Sequence, residues 1–378
     1  MRSYEDMIQP ATSEAACTVR ATTFEDFETI SQVACRNGLG SPTYSDWARL
    51  WKNNPFRSKL QLAMGWVLET EAQGVVGTFS NIPRLYSYND EPVRTATASA
   101  WAVDPPYRHS SVLLVTEFFS QKNIDLFLNT TASPRAAAIF KAFRSQEIPH
   151  PSYKQVLFWV TCKAGFAGAL LRKLQLPALG GLKQAAVLAL WCRDELHRSR
   201  IRYRRLETCV VPGFDERFDA MWDVLRRRRD RLLAVRTRDA LTWQFRPSLE
   251  AGHAVVIVLP EGNGISGYLI MKRYDHRHLG LSSFGIVDIQ AAREEPDIIL
   301  SLVAGALEHA ARSGVHVVEA VGFHNSKREV LERLKPLHWT HPSCPCLYKV
   351  GAGPRTFRDA LRTANAWDPS RFDGDASL

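Results

Sequence analysis

Apolar and polar positions change period several times along the chain, and each change marks an element. Thr18–Asn37 reads as a strand passing into a helix, and Ser45–Lys52 has helical spacing. Three runs rich in β-branched and aromatic residues follow, Leu62–Glu69, Gly74–Ile82 and Thr95–Val103, separated by turn residues. Ser111–Gln121 sets Val112, Val115, Phe118 and Phe119 on one helical face. Ile124–Leu128 is apolar except for Asp125, the pattern of a short strand buried on most of its surface. Ser133 is a good helix cap and Pro134 suits the first helical position, so a helix runs from there to about Phe143. Val156–Thr161 reads as another strand.

The second half repeats this order. Glu216–Leu233 has helical spacing, and strands fall at Ala254–Leu259, Ile265–Lys272 and Leu281–Asp288. A helix at Asp297–Arg312, a buried strand at Val315–Val321, a helix at Lys327–Leu334 and a strand at Leu347–Val350 complete it. Strands first, with an α-β-α-β ending, predict a mixed α/β layer (α+β) with largely antiparallel sheets rather than a doubly wound one. Three frames recur in the same sequence order. Trp51–Pro55 and Trp243–Pro247 share W-x-x-x-P, and Gly74–Gly77 and Gly264–Gly267 share G-x-x-G. Val103-Asp104 recurs as Val287-Asp288. Nearly constant spacing between the copies points to one fold used twice. The expected parts are 1–163, a hinge at 164–205, 206–353 and a tail at 354–378.

Composition narrows the class. The 378 residues carry 48 Lys+Arg against 39 Asp+Glu, a net +9, and 23% are charged, as in an ordered globular protein. Residues 193–238 hold 14 Arg and no Lys against 8 acids, so most of the excess sits in mid-chain. That stretch fits an anionic partner or, as the commoner case, a solvated face with paired arginines. No specific nucleic-acid motif accompanies it. Val156–Trp191 is the nearest approach to a membrane span, and Lys163, Arg172, Lys173 and Lys183 interrupt it. The apolar stretch 164–191 beside the arginines fits a linker packed between domains and also a peripheral membrane contact through 164–205. Seven scattered cysteines and a start without an apolar signal segment suggest reduced thiols and a cytoplasmic location.

The element order, joined to Trp101–Ser111 (W-A-V-D-P-P-Y-R-H-S-S), resembles the GCN5-related N-acetyltransferase (GNAT) superfamily, and within it a bacterial tandem group. The ending Ala366–Asp375 is also similar to that group. The resemblance implies two tandem acyl-CoA N-acyltransferase folds and an acetyl-CoA or other acyl-CoA co-substrate, with no metal. In that superfamily a bulged strand is followed by a turn, Q/R-x-x-G-x-G/A, that holds the coenzyme A diphosphate. Here the turn reads Arg108-x-x-Ser111-x-Leu113, without either glycine. A helix N-terminus with a cation nearby is suited to a diphosphate. The implied cofactor-binding residues are Ala102, Val103, Arg108, His109, Ser110, Ser111, Val112 and Asn129. The second half offers Arg293 followed by Glu294 and Glu295, poor company for an anion.

The same resemblance implies direct transfer to the amine of a small molecule. The backbone N–H of Val103 would polarise the thioester carbonyl, and Asp104 and Asp288 are the candidate bases, each also readable as a turn-capping aspartate. Phe140 stands where the family's acidic tyrosine is expected, leaving water or a hydroxyl of Thr130, Thr131 or Ser133. Two other readings stay open: an acyl carrier protein or aminoacyl-tRNA as donor, and a non-catalytic scaffold. His338, His341, Cys344 and Cys346 crowd together, but their spacing matches no zinc site and suggests a Pro-rich loop.

Overall fold

From the N-terminal side, β1 (Cys17–Ala21) leads to α1 (Phe27–Arg36), α2 (Tyr44–Lys52) and the short α3 (Arg57–Leu60). Then come β2 (Gly65–Thr70), β3 (Gly74–Tyr88) and β4 (Glu91–Val103). A 3-10 turn at Pro105–Ser110 runs on into α4 (Ser111–Phe119). The first half closes with β5 (Leu126–Asn129), α5 (Pro134–Ala142), β6 (Gln146–Glu147) and β7 (Gln155–Val160). In this computed structural model the described residues are 16–40, 42–176, 180–198, 202–340 and 345–378.

Two helices, α6 (Lys163–Lys173) and α7 (Gly180–Arg198), precede β8 (Cys209–Val211), α8 (Glu216–Leu225), β9 (Leu232–Ala234) and α9 (Arg238–Glu250). Next are β10 (Ala254–Glu261), β11 (Gly264–Arg273), β12 (Ser283–Ala291), α10 (Pro296–Arg312) and β13 (Val317–Ala320). The last elements are α11 (Asn325–Glu332), β14 (Leu337–Thr340), β15 (Leu347–Val350) and α12 (Arg355–Ala360).

The chain divides into two units. The first contains residues up to Lys52 with Gln61–Ile82 and Ala98–Lys122. Its β1 and β2 pair antiparallel, as do β2 and β3. The core is aromatic: Phe79 meets Phe118 at 5.1 Å and Trp47 meets Trp51 at 5.0 Å, all four buried. Offset and edge contacts of this kind add about 0.5–1.5 kcal/mol each beyond their buried area. Val112, expected inward on α4, is exposed, and Leu114 takes the inward place beside Val115 and Phe118.

The second unit contains Asn53–Leu60, Pro83–Thr97 and Asn123–Leu378. One sheet here runs β14-β7-β13-β12-β11-β10-β8, antiparallel except where β12 meets β13. Helix α10 lies over it, its Ile298, Leu302 and Val303 buried against Leu269 and Ile289. Strand β7 comes from the first half of the sequence yet pairs with β13 and β14 of the second. Conversely β15, from the second half, pairs with β5 and β6 of the first. The two halves have exchanged a strand, so a boundary at residue 163 separates β7 from the sheet it completes.

The helix expected over Glu216–Leu233 stops at Leu225. Asp230 turns the chain with φ +54°, and buried Leu232–Ala234 join β3 as a strand instead. The 354–378 segment is no free tail. Phe357, Leu361, Trp367 and Phe372 are buried, and Arg84, Gln244 and Lys272 donate to carbonyls of Gly374, Phe372 and Ser377. Gly322, at φ +79°, lies so near Pro369 that a Cβ would stand 2.2 Å from its carbonyl oxygen.

Candidate functional site

Strand β4 carries a left-handed residue within it, Ala100, at φ +41°, a conformation also found where β-bulges kink a strand. The strand continues through Trp101, Ala102 and Val103 and ends where the Asp104 N–H donates to Val76 O at 2.9 Å. Pro105 and Pro106 then start a 3-10 turn that passes directly into α4. Helical backbone therefore begins six residues ahead of Ser111. Two first-turn positions that would present free N–H groups are prolines and have none, and the Tyr107 N–H is bound to Asp104 O.

Most of the residues expected at the site come together in this turn. Arg108 is exposed, and its Nε reaches the Val103 carbonyl at 3.4 Å. Its Nη2 reaches Asn37 Oδ1, also at 3.4 Å. Ser111 Oγ donates to the Arg108 carbonyl at 2.6 Å. His109 and Val112 face solvent and Ser110 is half-buried.

Asp104 is not a free base. Arg36, in the last turn of α1, grips its carboxylate at 2.7 and 3.3 Å, and Asn37 Nδ2 donates to it at 2.9 Å. The Asp104 carboxylate raises the Arg36 guanidinium above its usual value. Arg36 and Asn37 were not recognised from the sequence. The only signal was a basic residue at the C-terminal end of the helix expected to finish near Asn37, and such residues are common for dipole reasons alone. The turn thus presents two exposed cations, Arg36 and Arg108, with one carboxylate held against Arg36.

Residues of the second unit stand as follows. Asn129 ends β5, and its Oδ1 accepts from Thr131 N at 3.2 Å, an ordinary turn bond. Phe140 is buried. Thr130 and Thr131 hydroxyls donate to Asp375, at 3.1 and 2.9 Å, and Ser133 caps α5 through Ala136 N.

Asp288 is fully buried in β12 and bound by Arg236 at 2.8 and 3.2 Å, by Tyr268 Oη at 2.8 Å and by Gln290 Nε2 at 3.0 Å. Although burial opposes the charge, Asp288 leaves the Arg236 guanidinium raised. A carboxylate with every approach occupied is structural, which corrects its assignment as a base. The sequence parallel with Asp104 also fails, since β4 ends at Val103 whereas β12 continues to Ala291. Beyond β12, Arg293 is taken up by Glu261 and Glu295, each at 2.7 Å.

A further cavity of about 370 Å³ lies in the second unit, with Phe158, Phe166, Leu170, Lys173, Glu319 and Trp339 in its wall. Of the crowded His/Cys segment, His341 and Cys344 lie outside the described residues. His338 approaches Glu332 at 3.1 Å, and Cys346 is buried, which pushes its thiol well up. Among the described residues no cluster of metal-ligating side chains forms.

No family model matches the sequence, and no curated protein matches it. Solved structures do resemble it. A probable N-acyltransferase of unknown function from Enterococcus faecalis V583 is 11% identical with a TM-score of 0.55, covering 89% of this chain and 72% of that one. A GCN5-related N-acetyltransferase from Anabaena variabilis is 11% identical with a TM-score of 0.53, covering 89% and 73%. N-myristoyltransferase from Saccharomyces cerevisiae, solved with myristoyl-CoA, is 12% identical with a TM-score of 0.52, covering 92% and 86%. The chain has the fold of the GCN5-related N-acetyltransferases, a mixed α/β architecture whose two sheets are mainly antiparallel and flanked by helices. At these identities the likeness is one of fold.

Proposed function

We propose that this protein is an N-acyltransferase that moves an acyl group, acetyl first among them, from a coenzyme A thioester directly to the amine of a small molecule. The observation that carries the reading is the β4–α4 turn. A strand with Ala100 at positive φ delivers Val103 to the start of a helical turn that bears Arg108, with Arg36 held to the same turn through Asp104, in a fold shared with acyltransferases. In this reading Arg108 and Arg36 hold the donor's diphosphate by charge-assisted bonds. The Val103 N–H steadies the oxygen of the thioester carbonyl as the amine attacks. The tetrahedral adduct then expels the thiolate; water takes the amine's proton and water also returns one to the thiolate, because Phe140 has none to give and the Thr130 and Thr131 hydroxyls already donate to Asp375.

The two prolines and the missing glycines reduce the number of backbone donors, so affinity rests more on the two arginines than the family's usual turn requires. An anionic carrier protein as donor would find only some of the mid-chain arginines unengaged. Arg205, Arg217, Arg226, Arg236 and Arg238 all face acids, Glu308, Asp215, Asp223, Asp288 and Asp219.

Calorimetric titration of the full chain with acetyl-CoA tests the proposal. Saturable binding that weakens roughly tenfold in Arg108→Ala is expected, the worth of one charge-assisted contact. No heat at millimolar ligand would overturn it, and binding that needs a carrier protein and collapses with salt would transfer the donor role to that carrier.

A further inference from the structure

Helix α7 is nineteen residues long, yet none of its described side chains, residues 181–196, is buried. Within the expected hinge, α6 buries Ala167, Ala169 and Leu171, so the unburied part is α7. Leu182, Leu188, Trp191 and Leu196 are 45–65% exposed. Leu188, Cys192 and Leu196 follow one another at i, i+4 with Trp191 alongside, so they share a face. The packed neighbour α6 adds Leu170 and Leu174, exposed one turn apart, and Leu176 follows just beyond it. Seven of the thirteen large apolar side chains exposed among the described residues fall between 170 and 196. Helix α7 contacts α6, the carbonyls of Lys335 and Pro336 through Arg193, and Lys163 through Asp194, and these contacts leave its large apolar side chains at Leu182, Leu188, Trp191 and Leu196 exposed. An apolar concentration of this kind marks a surface that something covers.

Charge identifies the cover. Residues 163–193 contain Lys163, Arg172, Lys173, Lys183 and Arg193 and no acid. Asp194 pairs with Lys163 at 2.7 Å, while Arg172, Lys173 and Lys183 have no acidic partner among the described ion pairs. A second copy of this chain would bring the same cations face to face. An anionic bilayer instead offers phosphates to the lysines and acyl chains to the leucines, with an interfacial place for Trp191. No helix of the described residues is long and apolar enough to cross a membrane, so the element would lie on the surface. The 370 Å³ cavity beneath α6 shares Leu170 and Lys173 with this face, so the apolar surface continues inward.

We propose that α6 and α7 seat this protein on an anionic phospholipid bilayer, with Leu170, Leu174, Leu188, Trp191 and Leu196 entering the headgroup boundary and Lys173 and Lys183 meeting lipid phosphate. The proposal is independent of the acyl-transfer reading. Its test is co-sedimentation of the full chain with vesicles of phosphatidylcholine alone and of phosphatidylcholine with one-quarter phosphatidylglycerol. Binding at least tenfold tighter to the anionic vesicles and weakened by 0.5 M salt is expected.

The double variant Leu188→Glu/Trp191→Glu should lose that binding with an unchanged melting temperature, since both positions are exposed. Should that variant unfold, Lys173→Glu/Lys183→Glu provides the parallel test, with a loss confined to anionic vesicles. Absence of binding to either vesicle overturns the proposal, as does binding that neither double variant weakens. A dimer in sedimentation velocity that Leu188→Glu/Trp191→Glu dissociates, without vesicle binding by the parent, would assign the face to a second copy instead.

Discussion

The guanidinium of Arg236 meets the carboxylate of Asp288 at 2.8 Å, with 1% and 0% of the two side chains exposed. Tyr268 and Gln290 complete the carboxylate's bonding, and the Phe372 ring lies 4.7 Å from the guanidinium carbon. The pair ties β12 to the segment that leads into α9, beneath the buried C-terminal segment. Removing one partner strands the other charge in the interior, which costs about 3–5 kcal/mol. Asp288→Ala should therefore lower stability by that amount in urea denaturation. Arg236→Met/Asp288→Leu should recover most of the loss, because no charge is then left unpaired. A double variant no more stable than Asp288→Ala would contradict this account.

Two buried groups tilt stability with pH in opposite senses. Burial, aided by nearby Arg231, lowers His324 to about 4. His324 contributes stability that is present above its unfolded value of 6.5 and is lost as pH falls toward 4. Burial raises Asp373 to about 6 against the pull of Arg236. The Asp373 contribution is present below 3.8 and is lost as pH rises through about 6. Between pH 4 and 6 the two largely offset one another. Asp373→Asn removes the loss on rising pH, so its melting temperature should climb more steeply from pH 4 to 6.5 than the parent's. His324→Gln should give a flatter or falling profile. Parallel profiles in all three proteins would refute the assignment.

Ala100 holds a left-handed conformation that costs an L-residue about 1–2 kcal/mol. Glycine adopts it freely but loses more entropy on folding. Ala100→Gly should raise the urea midpoint by the equivalent of about 0.5–1 kcal/mol. Ala100→Val should lower it, because branching at Cβ worsens the same clash.

Arg36 and Asp104 form an ion pair with the arginine half exposed, at 50%. Such a pair contributes under about 1 kcal/mol to stability. Arg36→Ala should leave the melting curve nearly unchanged while weakening acetyl-CoA about as much as Arg108→Ala does. A large stability loss with unaltered donor binding would make Arg36 a structural residue only.

Much of the architecture is legible from the chain alone. The cap Ser133-Pro134 starts α5 as expected, Leu347–Val350 is a strand with those bounds, and the alternation of strand and helix indicates a mixed α/β layer. Local signals suffice there, because a cap hydroxyl or a period of two acts within a few residues. The candidate turn is legible in part, since Arg108 and Ser111 stand within one motif. Arg36 and Asn37 reach it from nearly seventy residues away, and no local pattern records that approach. Asp288 shows the converse: beside Val287 it imitates Asp104, but its position inside β12 places it against Arg236.

What the sequence determined by itself is most of the strands and helices with strong periodicity or caps, because those follow from local chemistry. Where the periodic signal ran past Leu225, the tertiary pairing of Leu232–Ala234 with β3 decided instead. Which sheet each strand joins was decided only in the tertiary structure. A four-residue strand such as Leu347–Val350 satisfies any open edge with the right polarity, and β7 and β15 each found the edge of the other half. Burial of the last residues was decided in the same way: Phe372 is a ring like any other until Arg84, Arg236 and Phe245 close around it.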